Sequence, residues 1–63
     1  MTQYELHYYT IAWLEIIEGG KISDLNAAIR MYLSIEDYEA CAGIQVAINE
    51  YIYYLNMKKK LLK

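Results

Sequence analysis

Apolar residues recur at spacings of three and four through most of this chain, and the pattern is punctuated twice, at Gly19-Gly20 and at Ser34-Ile35-Glu36-Asp37. Such periodicity predicts amphipathic helices, so the chain is expected to be all-α, with three helices over about 2–18, 23–33 and 36–60 in a single domain, 1–63. In the first, Tyr4, Tyr8 and Ile11 form one stripe and Leu6, Tyr9, Trp13, Ile16 and Ile17 a neighbouring one. Gln3, His7, Thr10 and Glu18 are left as a narrow polar strip, and a helix this apolar around its circumference calls for cover on more than one side. Gly19-Gly20 supplies the left-handed conformation that closes it.

The second helix presents Leu25, Ala28, Ile29 and Tyr32 at helical spacing, with Ser23 or Asp24 expected to cap its start. Ser34 with Asp37 three residues on reads as the cap of the third helix, whose positive dipole end would be met by Glu36, Asp37 and Glu39. Cys41, Ile44, Ile48, Ile52 and Leu55 make a seam along that helix. Ala40, Ala42, Gly43 and Ala47 keep the surface beside the seam thin, which would let another helix approach closely. Helices two and three then form an antiparallel hairpin. The short Gly19-Gly20-Lys21 joint lets helix one cover that hairpin in its own subunit or reach across to another.

Size and composition add a reason to expect assembly. A chain of 63 residues buries only about 60% of the surface its unfolded form exposes, yet 57% of its residues are hydrophobic and eight are tyrosine. One cysteine forms no intramolecular disulfide, and His7 with Cys41 does not complete a four-ligand zinc site. Self-association is the remaining common remedy, with Tyr9, Trp13, Ile16, Ile52 and Leu55 as the expected oligomer interface. The product would be a homodimer or a larger helical bundle.

Charge is unevenly placed. Up to Met57 there are eight acids and two bases, a sum of −6, while Lys58, Lys59, Lys60 and Lys63 follow. The body repels a nucleic acid backbone and only the tail attracts one. Tyr54 with Lys58, Lys59 and Lys60 is therefore the candidate for an alternative nucleic-acid-binding role, in which the ring stacks on a base and the lysines hold phosphates. No window reaches the roughly 18 apolar residues of a membrane span, and six residues including Leu61 and Leu62 bury too little for an anchor. With no basic stretch before an apolar run at the start, a soluble cytoplasmic protein is expected.

Nothing in the chain carries a reaction. It has no phosphate loop, no metal-ligand cluster and no nucleophile spaced with a base, so neither catalysis nor a cofactor is expected. His7 has only Glu5 nearby, on a different face, and reads as a surface histidine. Cys41 lies in the apolar seam and reads as a small filler rather than a nucleophile.

Leu25 and Ala28 in one arm, the acidic and aromatic Glu36-Asp37-Tyr38-Glu39, and then Cys41-Ala42, Ile44 and Ile48 make the stretch from Ile22 to about Leu55 resemble the UVR domain, the short helical hairpin at the end of UvrB, in UvrC and in some Clp chaperones and their regulators. Leu25 and Ala28 match the first arm, Glu36-Asp37-Tyr38-Glu39 the acidic and aromatic turn, Cys41-Ala42 the paired alanines, and Ile44 and Ile48 the second arm. Gln45 and Val46 replace an arginine and an aspartate of that family, so contacts made by that charged pair are not carried over. The resemblance implies a protein-binding module that pairs hairpin with hairpin, its turn close to the partner. Asp37, Tyr38 and Glu39 are then the expected partner-binding residues. The combined expectation is a non-enzymatic interaction module, adaptor or regulator, of the kind that phages and other mobile elements carry as inhibitors of host proteins.

Overall fold

The computed structural model describes residues 1–61, which form three helices: α1, Gln3–Ile17; α2, Ile22–Ser34; and α3, Tyr38–Leu61. The protein is all-α. α3 is the spine, with α1 and α2 both packed on it and hardly on each other. The chain goes up, down and up, so α1 and α3 run parallel and α2 runs against both. The register of the parallel pair follows from two side-chain contacts, Thr2 with Glu39 and Trp13 with Glu50, each joining positions 37 apart.

Thr2 caps α1. Its hydroxyl accepts the Glu5 N–H at 3.1 Å while the Glu5 carboxylate accepts the Thr2 N–H at 2.8 Å, a reciprocal capping box. Both helix exits use one closure. Gly19 takes φ +93°, with its N–H donating to Ile16 O at 3.1 Å and the Gly20 N–H to Glu15 O at 2.8 Å. After α2 the pattern repeats at Glu36, φ 59°, with Glu36 N–H to Leu33 O at 3.0 Å and Asp37 N–H to Tyr32 O at 2.9 Å. These are Schellman closures, which satisfy the last free carbonyls of each helix.

Two helix starts differ from the sequence expectation. α2 begins at Ile22 with Lys21 at the cap and no side-chain cap bond, because the glycine turn already brings the chain round and Ile22 packs on the core. Ser23 and Asp24 lie inside the first turn, where Asp24 still meets the positive dipole end. At the second joint Ser34 belongs to α2, and its hydroxyl donates to Met31 O at 2.6 Å. It is thereby unavailable to cap α3. Asp37 does so instead, its Oδ1 accepting the Ala40 N–H at 3.3 Å, and the third helix starts at Tyr38 rather than Glu36.

The core is small: Ala12 of α1, Leu25 of α2, and Ala40, Ile44, Ala47 and Ile48 of α3 are buried. Tyr8, Tyr9, Trp13, Ile16, Ile22, Ala28, Ile29 and Tyr32 pack around it, half-buried. The thin stretch of α3 does admit a close neighbour, and that neighbour is α1. A Cβ added at Gly43 would collide with the Glu5 carbonyl oxygen and stand 2.9 Å from the Tyr9 nitrogen.

Candidate functional site

The turn residues Asp37, Tyr38 and Glu39 stand beside the first turn of α1. Asp37 Oδ2 accepts the Tyr4 hydroxyl at 3.0 Å, and Glu39 Oε2 accepts the Thr2 hydroxyl at 2.8 Å. Both carboxylates thus tie the start of α1 to the start of α3. Tyr38 alone of the three makes no such tie and is 60% exposed. Beneath them Tyr4, Tyr8 and Tyr32 form an edge-to-face chain with centroid separations of 5.1 Å at both steps, a geometry favoured by the ring quadrupoles. The Tyr8 phenol is held above its usual range chiefly by its contact with the Tyr4 hydroxyl, and that of Tyr32 by Tyr8. Glu5 is held below the usual carboxylate range by the Thr2 backbone and hydroxyl.

The residues expected at an oligomer interface divide into two groups. Tyr9, Trp13 and Ile16 are half-buried within the same chain. Trp13 packs edge-on to Tyr51 at 6.1 Å, and its Nε1–H donates to Glu50 Oε1 at 3.2 Å. The Tyr9 hydroxyl donates to that same oxygen, which raises the Tyr9 phenol above its usual range, with burial adding to the effect. Glu50 therefore fastens the middle of α1 to α3, a role that sequence spacing gives no sign of. Ile52 and Leu55, by contrast, are 44% and 38% exposed.

The exposure of Ile52 and Leu55 follows from unequal helix lengths. With the offset of 37, Ile17 is level with Tyr54, so residues 55–61 project about 10 Å beyond α1. On the other side the Cys41 thiol meets the Ile29 carbonyl at 3.4 Å, which sets Ile22 level with Ile48. The seam of α3 is covered by α2 up to that level and continues bare through Ile52 and Leu55. A shallow depression of about 240 Å³ there is lined by Ile52, Leu55, Asn56, Lys58 and Lys59.

Lower down, α1 and α2 diverge and leave an apolar groove of about 240 Å³ between them. Ile44 forms its floor; Ile11, Ala12, Leu25 and Ala28 line it; Glu15 and Asp24 stand at its mouth. Packed interiors hold few voids larger than one water, so this groove is a place where a bundle has no fourth element.

Of the remaining candidates, His7 is exposed and lies edge-on to Tyr8 at 5.3 Å. Cys41 is half-buried in the seam, with its thiol turned to a carbonyl. Tyr54, level with the end of α1, and Lys58, Lys59 and Lys60 on the projecting end of α3 are exposed. The contribution of Leu62 and Lys63 to the tail lies outside the described residues. Among the described residues no three His, Cys, Asp or Glu side chains gather to hold a metal ion. No helix there is long and apolar enough to cross a membrane. No protein-family model, curated protein or solved structure matches this chain, so the UVR resemblance stands on the residues quoted for it.

Proposed function

We propose that this protein is a non-enzymatic helical interaction module that works as a homo-oligomer and binds a further protein as an adaptor or regulator. The observation that supports this reading is the amount of surface left uncovered. The chain exposes 4812 Å², whereas a folded monomer of 7.4 kDa is expected to expose about 4,200 Å². The excess is of the order of the roughly 800 Å² that each partner buries in a stable complex.

Its character agrees with its extent. Leu6, Leu14 and Ile17 on the outside of α1 and Ile52 and Leu55 on α3 are large apolar side chains left in water, more apolar surface than a small monomer needs to expose. Tyr38, exposed beside two engaged carboxylates, is the anchor proposed for the further partner. Tyrosine suits that role because it brings a large apolar body and a hydroxyl at low entropic cost.

Light scattering on the purified protein across a hundredfold dilution tests the reading. A dimer or larger closed assembly that persists on dilution is the expected result. A monomer with its full helical signal overturns the homo-oligomeric part and leaves the apolar faces to a different protein.

A further inference from the structure

The bare end of α3 and the mouth of the α1/α2 groove complement each other in shape and charge. The end of α3 offers an apolar strip, Ile52 and Leu55, followed by Lys58, Lys59 and Lys60. The mouth of the groove offers apolar walls between Glu15 and Asp24, with Lys21 the one base close by in sequence. In a single chain the two cannot meet, because α3 is one continuous helix that carries its lysines beyond the end of α1. They can meet between two copies.

We propose that two copies of this chain associate through the C-terminal ends of their α3 helices, laid antiparallel about a two-fold axis near Tyr53 and Tyr54. This deepens the homo-oligomeric reading and rests on it. With the axis there, Ile52 of one copy faces Leu55 of the other across the strip that α2 leaves bare. The lysines of each tail come level with residues 47–49 of the opposite chain. On the register already described, Glu15 stands level with residue 52 and Asp24 with residue 46, so the three lysines lie between them.

The arrangement answers two features at once. It sets the end of α3, which projects beyond both neighbours, against the mouth of the groove where a fourth helix is missing. It also cancels the charge separation of the chain, since a body of −6 up to Met57 receives the basic tail of its partner. A parallel pairing would instead set lysine against lysine. The contact is isologous, so it closes at two copies.

A charge exchange tests it. One variant carries Lys58→Glu, Lys59→Glu and Lys60→Glu; a second carries Glu15→Lys and Asp24→Lys. All five side chains are exposed, and circular dichroism checks that each variant is folded. Each alone sets like charges together twice and is expected to dimerise at least tenfold more weakly than wild type. Mixed in equal amounts, they set opposite charges together at both contacts, and the heterodimer is expected at wild-type strength. Leu55→Asp is expected to be monomeric. A wild-type oligomer that none of these changes weaken, or variants that weaken without rescue on mixing, overturns the antiparallel contact and leaves self-association standing by another face. A folded wild-type monomer at every concentration overturns both.

Discussion

Gly43 lets the backbone of α1 come so near α3 that its missing Cβ would overlap the Glu5 carbonyl oxygen. The obstruction is backbone, which no side-chain rotation relieves. In an isolated helix Gly→Ala is favourable by about 1 kcal/mol, but forced overpacking costs about 1–3 kcal/mol, and here the clash falls on the contact that docks a whole helix. Gly43→Ala is therefore expected to destabilise the protein by about 2 kcal/mol. Urea unfolding followed by the fluorescence of Trp13, the only tryptophan and itself on α1, reads this directly. An unchanged midpoint would mean that α1 does not lie against Gly43.

Gly19 and Glu36 occupy the same position in two equivalent helix closures, and only one of them is glycine. A left-handed conformation costs a residue with a Cβ about 1–2 kcal/mol, and glycine pays part of this back through its freer unfolded state. Glu36→Gly is expected to stabilise by about 0.5–1 kcal/mol. For a domain of this size about 1 kcal/mol moves the melting temperature by about 4–8 °C, which calorimetry resolves. A fall in melting temperature would show that Glu36 has a compensating contact.

These two joints also show how much of the fold could be seen in the sequence. The glycine pair announced the first closure by composition, whereas the second was hidden because a glutamate holds the glycine position. The serine before it drew the expected cap three residues early. The three helices and the small-residue surface at Gly43 were legible because side-chain period and size carry them. Glu50 was not, since its two donors, Tyr9 and Trp13, are 41 and 37 residues away. The divergence of α1 and α2 likewise depends on how both helices meet α3, which no local pattern encodes. Among the candidate site residues, Ile52 and Leu55 were found by continuing the seam. What exposes them is the difference in length between α3 and its neighbours, and this appears only once the register is known.

Glu50→Ala removes the acceptor shared by Tyr9 and Trp13. Because the bonds are exposed, both donors can turn to water, and the cost is expected to be modest, about 0.5–1.5 kcal/mol. The diagnostic change is local: Trp13 emission should shift to the red as its indole loses a fixed partner and gains water. Emission identical to wild type would show that Glu50 does not hold the indole.

Stability should fall at both ends of the pH scale for different reasons. Glu5 has a folded pKa below its ordinary 4.5, so its contribution is present above that value and is lost as pH falls through the folded pKa. Tyr8, Tyr9 and Tyr32 have folded pKa values above their ordinary 10.0. A raised tyrosine favours the fold while neutral, so these contributions are present below 10.0 and are lost as pH rises past it. Urea midpoints from pH 3 to 11 are expected to be level between the two values and to drop outside them. Replacing Tyr9 by Phe should flatten the alkaline drop. A drop of unchanged size would assign it to other groups.

The lysine end of α3 separates protein binding from nucleic acid binding. Tyr54 and Lys58 are four apart and so share a face, which gives a base one ring to stack on and a cation beside it. The rest of the chain is acidic, and Asp37 at the cap of α3 with Glu39 and Glu50 on it are turned to contacts within the protein rather than neutralised by bases. A single-stranded oligonucleotide is therefore expected to bind weakly or not at all at physiological salt, and Lys58→Ala, Lys59→Ala and Lys60→Ala to leave that unchanged. Fluorescence polarisation over a salt series decides it. Binding that weakens steeply with salt, with a log–log slope near −0.7 per phosphate contacted, and that disappears in the triple variant would replace the protein-binding reading with a nucleic-acid one.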